Sequence, residues 1–289
     1  MNVLIFGKNG WIGGMAYELL LSKGHKVFTA QSRANDIKKV EQEIIETKCT
    51  HVLCVIGRTS GGNVNTIDYL QDPSTLSENI RDNLFSPLVL SILCNKLNVH
   101  LTYMGTGCIF NGYDNFTEND SPNFFGSNYS IVKGYTDELM KLFDNSVLNL
   151  RIRMPLHNEE HKRNFITKIT TYSKVCSTPN SMTVLPTLLP YMVELMEMKH
   201  TGTLNFTNPG IITHNEILTL YKSLVNPCFT WNNFSIEEQN KVLKAARSNT
   251  SLDTSKLETL FPNVMNINDA VHHVLQTYKK KSYEDMIMF

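Results

Sequence analysis

The sequence predicts an α/β protein with a doubly wound parallel sheet and a smaller C-terminal lobe. Three observations support this fold class. Short apolar segments alternate with amphipathic helical segments through the first half of the chain, a pattern typical of βαβ units. A glycine-rich turn, GKNGWIGG at residues 7–14, follows the first apolar segment. The second half loses the alternation and carries more Pro, Asn and Thr, which predicts a lobe of less regular structure.

The predicted elements follow from segment length and apolar pattern. Strand-length apolar runs occur at residues 2–6, 26–31, 51–56, 100–104 and 147–152. The segments between them predict helices at residues 11–23, 36–47, 77–97 and 129–143. Shorter helices are predicted at residues 185–199, 215–224 and 236–246. Right-handed crossovers place helices on both faces of the sheet. We therefore assign residues 1–155 to a Rossmann-type domain and residues 156–289 to a lobe that is partly interleaved with it.

Composition and charge exclude several classes of function. The 289 residues are 42% hydrophobic and 19% charged, which is typical of a globular protein. Lys+Arg and Asp+Glu are equal at 27 each, so no net charge favours nucleic acid or a membrane. We expect no secretory signal, because an apolar strand follows Met1 directly. The six cysteines form no CxxC pair and the nine histidines show no metal spacing, which predicts a cytoplasmic protein without a metal site.

The glycine-rich turn lies between the first strand and the first helix, where dinucleotide phosphates bind in Rossmann-type folds. Its spacing, GxxGxxG, differs from the standard GxGxxG and resembles that of extended short-chain dehydrogenases. A tight βα connection without a ligand is the alternative. The predicted cofactor contacts in this turn are Gly7, Asn9, Gly10, Trp11, Ile12 and Gly13.

The end of the second predicted strand carries Ser32 and Arg33 rather than an acidic residue. An Asp or Glu there would bind the ribose hydroxyls of NAD, whereas a hydroxyl and a guanidinium suit the 2′-phosphate of NADP. This favours NADPH as the cofactor, with NADH as a possible substitute. A surface arginine is the alternative interpretation of Arg33.

Tyr129 and Lys133 are four residues apart on a predicted helix and therefore share one face. A nearby ammonium lowers the pKa of a phenol, which is near ~10 when unperturbed. Such a Tyr can pass a proton to a substrate oxygen, and Thr106, after a predicted strand, can hydrogen-bond the same oxygen. Cys108 adds a second acid/base group. Surface residues, and a small buried thiol for Cys108, are the alternatives.

Several segments together resemble the UDP-4-keto-6-deoxy-D-glucose 3,5-epimerase/4-reductase family, which forms the C-terminal half of plant UDP-rhamnose synthases. They are MGTGCIF, PNFFGSNYSIVKG, LRIRMP, RNFITKI, PNSMTVL, NFTNPG, THNEIL and ARSN. The resemblance extends from Gly7 to about Pro262. The segment ARSNTSLD is also similar to bacterial dTDP-4-dehydrorhamnose reductases, which belong to the same extended short-chain dehydrogenase/reductase class.

The resemblance implies a bifunctional enzyme that converts UDP-4-keto-6-deoxy-D-glucose to UDP-L-rhamnose with NADPH. It implies an epimerase pair at Cys108 and Lys168, and reduction by Thr106, Tyr129 and Lys133. Two groups are required because inversion removes a proton from one face of the sugar and returns one to the other. Either member of the pair can be the base.

The resemblance also implies further ligand contacts. Arg247, assisted by Arg163 and Asn164, is expected to bind the nucleotide diphosphate, with surface arginines as the alternative. The segment GRTSGGNVNTIDYL keeps Gly57 and Thr59 near the cofactor and departs from the family beyond them. The helix at residues 77–97 keeps Asn83 but carries Ser-Pro where the family usually has Gly-Thr.

Three other functions and two partners remain in the prediction. The alternatives are a monofunctional dTDP- or UDP-4-dehydrorhamnose reductase, a GDP-sugar epimerase/reductase and a non-catalytic NADP-binding regulatory subunit. Plant relatives often carry an N-terminal dehydratase that is absent here, so we expect a separate UDP-glucose 4,6-dehydratase to supply the keto-sugar. The helices at 77–97 and 129–143 predict a homodimer, and neither nucleic acid nor a membrane is expected as a partner.

Overall fold

The computed structural model describes residues 1–279 and contains one six-stranded parallel sheet, so the predicted doubly wound α/β fold is confirmed. The strand order is β2-β1-β3-β4-β6-β7. Val3 on β1 pairs with Val27 on one side and with His51 on the other. The strands are β1 Asn2–Phe6, β2 Lys26–Thr29, β3 His51–Cys54, β4 His100–Thr106, β5 Gly112–Phe116, β6 Val147–Ile152, β7 Gly202–Asn205 and β8 Thr250–Leu252. Because the chain moves from β2 across β1 to β3, a crevice forms at the carboxyl ends of these strands.

Helices cover both faces of the sheet. They are α1 Trp11–Ser22, α2 Ile37–Thr47, α3 Leu76–Ile80, α4 Ser86–Leu97, α5 Asn128–Met140, α6 Phe165–Thr171, α7 Leu185–Glu197, α8 His214–Leu224, α9 Ile236–Val242, α10 Ser255–Leu260 and α11 Ile267–Gln276. The predicted helix at residues 77–97 is interrupted by a π-helical turn, Arg81–Phe85, between α3 and α4. No helix among residues 1–279 is long and apolar enough to span a membrane.

Alternate residues of each central strand face opposite sides of the sheet, and both sides are buried. Val3 and Ile5 belong to a cluster with α1 and α7, whereas Leu4 and Phe6 belong to one with α2 and α4. This burial on both faces explains why the central strands are continuous apolar runs rather than alternating ones. The rigid sheet then presents its carboxyl-end loops toward one crevice.

The two halves of the chain exchange elements across the boundary near residue 155. Strand β7 extends the main sheet next to β6, and Leu188 and Met192 of α7 pack on its face. Strand β5 of the first half pairs with β8 of the second. A third apolar cluster, formed by α6, α8 and α11, is the core of the C-terminal lobe. The C-terminal segment KKKSYEDMIMF is predicted from the sequence to be a solvated tail, and its residues 280–289 lie outside the described residues.

Candidate active site

A cleft of about 1320 Å³ opens at the carboxyl ends of the central strands and is lined by residues of both halves. It brings together most of the residues predicted from the sequence: Gly10, Trp11, Ile12, Gly13, Gly57, Thr59, Thr106, Cys108, Tyr129, Lys133, Arg163, Lys168 and Arg247. The lining does not include Gly7, Asn9, Ser32, Arg33, Asn83 or Asn164. Among residues 1–279, no group of three His, Cys, Asp or Glu side chains is arranged to bind a metal.

The β1–α1 turn has the backbone geometry of a phosphate-binding turn. Gly7 adopts a φ of +95°, a conformation that L side chains rarely adopt. A Cβ atom on Gly13 would lie 2.1 Å from the carbonyl oxygen of Gly7, so only glycine permits this contact. Gly10 caps α1 without a side-chain hydrogen bond. The first N–H groups of the helix therefore face the cleft without a side-chain acceptor and suit a phosphate.

Beyond β2, the hydroxyl of Ser32 is occupied by a partner that the sequence analysis missed. Both the Ser32 hydroxyl and its backbone N–H donate to the carboxylate of Glu43, and the Gln31 N–H donates to the same carboxylate at 2.7 Å. The Arg33 carbonyl accepts from the Asp36 N–H at 2.8 Å, but its exposed guanidinium makes no hydrogen bond or ion pair within residues 1–279. Of Ser32 and Arg33, it is therefore the Arg33 guanidinium that remains available as a donor for a 2′-phosphate beyond β2.

Helix α5 holds Tyr129 and Lys133 in the wall of the cleft, with 9% and 3% of their surfaces exposed. Burial raises the pKa of Tyr129, and the charge of Cys108 raises it further, while a hydrogen bond with Thr106 opposes the shift. Tyr129 is therefore a neutral phenol at pH 7 and can donate a proton. The turn that follows β4 and contains Cys108 is fixed to α5, because the Ser130 hydroxyl donates to the Cys108 carbonyl at 2.8 Å.

Lys133 has a partner on the neighbouring strand. Its ammonium donates to the hydroxyl of Tyr103 on β4 and lies 4.6 Å from the centre of that ring. Burial lowers the pKa of Lys133 to about 8, and the charges of Cys54, Asp137 and Cys108 oppose the shift. Tyr103 was not predicted, because in the sequence it is one aromatic residue within a buried strand.

The lowered pKa of Lys133 predicts an alkaline limit on carbonyl reduction. Below pH 8 the ammonium is present and, in the role expected from the sequence, would stabilise the phenolate that forms as Tyr129 gives up its proton. As the pH rises through about 8, the ammonium loses its proton and the turnover number is expected to fall. A pH profile of NADPH oxidation between pH 6 and 10 measures this decrease. Lys133→Met should be slow at every pH and should not show the decrease, whereas a constant native rate up to pH 10 would contradict the prediction.

The two residues of the expected epimerase pair reach the cleft from different elements. Cys108 follows β4 and is half-buried, with its N–H donating to the Thr106 hydroxyl at 3.1 Å. Lys168 lies in the last turn of α6 and donates to the Asn65 carbonyl at 3.2 Å. Burial lowers the pKa of Lys168, and the charges of Arg163 and Arg247 lower it further. A larger fraction of Lys168 is therefore a neutral amine at pH 7 than of a solvated lysine.

Both arginines expected at the diphosphate line the cleft, and both are partnered. Arg163 donates to the Thr59 hydroxyl at 3.1 Å. Arg247 forms an ion pair with Asp68 at 2.6 Å. Burial alone raises the pKa of Asp68, but hydrogen bonds from Arg247, Thr66 and the Ala245 N–H outweigh it and lower that pKa. An incoming phosphate must therefore share Arg247 with this carboxylate.

Asn164 and Asn83 are placed differently from the sequence prediction. Asn164 is fully buried and caps α6, with its side chain bonded to Ile166 and to the backbone of residues 157 and 159. The buried Asn83 amide holds the backbone N–H and carbonyl of Arg58, both at 2.9 Å. Neither side chain lines the cleft, so each positions a loop or helix that carries other site residues.

A doubly wound sheet, a glycine-rich β1–α1 turn and a buried Tyr-x-x-x-Lys pair beside a strand-end Thr define an oxidoreductase of the short-chain dehydrogenase/reductase class. Cys108 and Lys168, the pair expected from the sequence to epimerise the sugar, line the same cleft.

Comparisons with known proteins specify the family. No protein-family model matches the chain. The crystal structure of a UDP-rhamnose synthase from Acanthamoeba polyphaga mimivirus is 52% identical, with a TM-score of 0.94 over 95% of this chain and 98% of that one. The bifunctional dTDP-4-dehydrorhamnose 3,5-epimerase/reductase of Arabidopsis thaliana is 41% identical over 96% of this chain and 94% of its own length. The chain belongs to the family of nucleotide-rhamnose 3,5-epimerase/4-reductases, and the resemblance inferred from the sequence is confirmed.

A more distant structure supports the fold alone. The dTDP-4-dehydrorhamnose reductase of Bacillus anthracis, solved in complex with NADP, is 17% identical and has a TM-score of 0.79 over 94% of this chain. The chain also matches 41% of the length of a trifunctional Arabidopsis thaliana protein whose name includes a UDP-glucose 4,6-dehydratase activity.

Proposed function

We propose that this protein converts UDP-4-keto-6-deoxy-D-glucose to UDP-L-rhamnose, by epimerisation at C3 and C5 followed by NADPH-dependent reduction at C4. One observation carries the proposal: a single cleft holds the Thr106, Tyr129 and Lys133 group together with Cys108 and Lys168. A reductase alone needs only the first three residues. The name of the Arabidopsis thaliana relative combines 3,5-epimerase and reductase activities, and that of the mimivirus relative is UDP-rhamnose synthase.

The residues of the β1–α1 turn fit a dinucleotide cofactor. The uncapped N-terminus of α1 and the close Gly7–Gly13 contact leave room for a pyrophosphate, and Arg33 offers a free guanidinium for a 2′-phosphate. NADPH, when bound, supplies the hydride for the reduction. Gly57 and Thr59 at the end of β3 line the adjoining part of the cleft.

In the reductive half, the protein's task is to protonate the C4 oxygen. Tyr129 is kept neutral by its burial and can donate its phenolic proton. Thr106, which bonds Tyr129, is placed to hydrogen-bond the same oxygen. The Lys133 ammonium stabilises the resulting phenolate, and general acid catalysis of this kind contributes about 10²–10⁴-fold to rate.

In the epimerising half, the C4 ketone acidifies the protons at C3 and C5. At each centre one residue takes the proton from carbon and the other returns a proton to the opposite face. Cys108 is half-buried at the end of β4. Burial lowers the pKa of Lys168, which makes this lysine a better proton acceptor near pH 7 than a solvated one. Arg247 and Arg163 would hold the diphosphate and fix the sugar between the pair.

Two partners follow from this activity. The substrate is the product of a 4,6-dehydration, so we propose that a separate UDP-glucose 4,6-dehydratase supplies it.

We also propose a homodimer formed through α3, α4 and α5. These helices and the turns next to them expose large apolar side chains at Leu76, Ile80, Phe85, Ile92, Tyr135 and Leu142. Sedimentation velocity on the purified protein would show a monomer if this surface stays uncovered.

The direct test is incubation with the keto-sugar and NADPH in D₂O, followed by NMR of the product. Rhamnose labelled with deuterium at C3 and C5 is the expected result. A 4-hydroxy sugar without that label would favour the monofunctional reductase. NADPH binding without turnover would favour the regulatory subunit.

Cys108→Ala is expected to slow formation of labelled product about 100-fold, because one of the two faces loses its proton carrier. Reduction of an already epimerised 4-keto-rhamnose should continue at nearly the native rate. The control is Cys228→Ala, which removes an exposed thiol in the C-terminal lobe. Full flux from the unepimerised sugar in Cys108→Ala would refute the assignment of Cys108.

A further inference from the structure

Arg153 is a buried cation without a carboxylate partner. Only 1% of its surface is exposed, and it lies at the wall of the cleft just beyond β6. Its four hydrogen-bond acceptors are neutral: the Gly107 carbonyl at 3.2 Å, the Ser248 hydroxyl at 2.9 Å, the Ser248 carbonyl at 3.1 Å and the Asn180 side-chain oxygen at 2.7 Å. Its Nε atom is buried and has no partner. A guanidinium stays charged in proteins, so this burial is costly unless an anion compensates it.

Arg151, two residues earlier, is a buried arginine whose positive charge is compensated by a carboxylate. It is also fully buried, and Asp137 accepts from its Nε at 2.9 Å and from its Nη2 at 2.6 Å. That pair is a structural bridge between β6 and α5. Arg153 is equally buried and has no such carboxylate among residues 1–279. Because Arg153 lines the cleft, a negative charge that forms there during function would compensate it.

A candidate for that charge is the sulfur of Cys108, whose preceding residue is hydrogen-bonded to Arg153. Arg153 holds the carbonyl of Gly107, the residue before Cys108, and its Cγ and Cδ atoms lie 3.1 Å from where a Gly107 Cβ would be. Burial lowers the pKa of the Arg153 guanidinium, and the charges of Cys108 and Tyr113 oppose that shift. Arg153 and Cys108 both line the cleft.

We propose that Arg153 is a positioning residue for epimerisation. Its guanidinium stabilises the thiolate form of Cys108 while the proton exchanged by the sulfur is on the sugar. The proposal rests on the function proposed for Cys108. It holds for either order of proton transfer: a base at Cys108 starts each inversion as the thiolate, and an acid at Cys108 ends it as one. In both cases the proton leaves sulfur or returns to it, and Arg153 itself exchanges none.

Two other titratable groups interact electrostatically with Cys108, and each has another task. Tyr129 is a neutral phenol that serves the C4 oxygen. Lys133 already donates to Tyr103 and serves Tyr129. Within residues 1–279, Arg153 makes no hydrogen bond to the side chains of Thr106, Tyr129 or Lys133, the residues proposed for reduction. We therefore expect loss of Arg153 to affect epimerisation and not reduction.

The first test is alkylation of the full-length protein by iodoacetamide, followed by peptide mass spectrometry between pH 6 and 9. Only a thiolate is alkylated, and the exposed Cys228 provides an internal reference within every sample. In Arg153→Met the Cys108-to-Cys228 ratio at pH 7 is expected to fall about tenfold, with the Cys108 profile displaced to higher pH. Arg153→Lys, which keeps a charge, should recover part of the ratio. An unchanged ratio in Arg153→Met would overturn the proposal.

A second variant leaves Arg153 in place and supplies its missing partner. Asn180→Asp is nearly isosteric and puts a carboxylate where the amide oxygen already accepts from Arg153 at 2.7 Å. Because the new anion neutralises Arg153, alkylation of Cys108 and deuterium incorporation at C3 and C5 should both slow about tenfold. Reduction of epimerised 4-keto-rhamnose should stay at its native rate. Native rates of alkylation and incorporation in Asn180→Asp would also overturn the proposal, even if Arg153→Met failed to fold.

The same data separate this proposal from the proposed function. If the native enzyme incorporates no deuterium but the alkylation ratio still depends on Arg153, the proposed function fails and the Arg153–Cys108 interaction stands. If incorporation occurs in the native enzyme and neither variant changes it or the alkylation ratio, the function stands and the role of Arg153 fails.

Discussion

Tyr129→Phe is expected to lower the turnover number for NADPH oxidation about 1000-fold, the middle of the range for loss of a general acid. Burial holds the phenol neutral in the cleft wall, and it is the group that we propose to protonate the C4 oxygen. Removal of one oxygen atom leaves the ring and its packing in place. Deuterium incorporation at C3 and C5 should persist, because Cys108 and Lys168 do not depend on this proton. Stopped-flow absorbance of NADPH and NMR in D₂O measure the two halves separately.

Tyr135→Phe is the matched control for this variant. Tyr135 lies on the same helix, but 61% of its surface is exposed. Tyr135→Phe keeps the ring that belongs to the proposed dimer surface. The position lies outside the cleft lining, so the variant should leave both reduction and incorporation at native rates. If Tyr129→Phe reduces the sugar as fast as Tyr135→Phe does, another group donates the proton and the assignment of Tyr129 is wrong.

The central sheet could be predicted because its strands are buried on both faces. Five of its six strands were predicted, and β6 has the predicted bounds, Val147–Ile152. Strand β7 was missed because GTLN is short and has one large apolar residue. Strands β5 and β8 were missed for a related reason: β5 is largely exposed and β8 has only three residues, so neither gives an apolar run. Their pairing is decided by tertiary contacts.

The candidate site was predictable where a residue's role is visible in its local sequence. The glycine turn and the Tyr-x-x-x-Lys spacing are local patterns, and the structure brings both to one cleft. Tyr103, Glu43 and Arg153 act through partners on other elements, and nothing beside them in the sequence indicates those partners. Family resemblance pointed to the LRIRMP segment but not to the different environments of its two arginines.

Asn164 has a structural role that the sequence analysis did not recognise. Asn is a favoured N-cap residue, and the apolar residues of FITKITT follow it directly. With α6 predicted, the capping role would have been apparent. Without it, a polar residue beside Arg163 was placed among the substrate contacts. The structure uses Asn164 to orient the helix that carries Lys168.

Gly13→Ala is expected to weaken NADPH binding about 100-fold and to remove the reductive activity, because it disrupts the turn that forms the cofactor site. The added Cβ would lie 2.1 Å from the Gly7 oxygen and 3.0 Å from the side chain of Val55. Backbone cannot move away as a flexible side chain can, so α1 must shift relative to β1. Overpacking of this kind costs about 1–3 kcal/mol of stability, and about 1.4 kcal/mol corresponds to a tenfold change in binding. Fluorescence titration with NADPH and thermal unfolding by circular dichroism measure both effects.

Gly14→Ala separates the effect of the Gly7 contact from a general effect of alanine in this helix. Its Cβ would meet only the Lys8 oxygen at 3.8 Å, which is an ordinary contact, and alanine has the higher helix propensity. We expect native NADPH affinity and equal or slightly higher thermal stability. If Gly13→Ala binds NADPH as tightly as Gly14→Ala, the close Gly7–Gly13 approach does not form the cofactor site, and the dinucleotide must bind elsewhere in the cleft. The contrast therefore tests the turn through binding alone, independently of the chemistry at Tyr129 and Cys108.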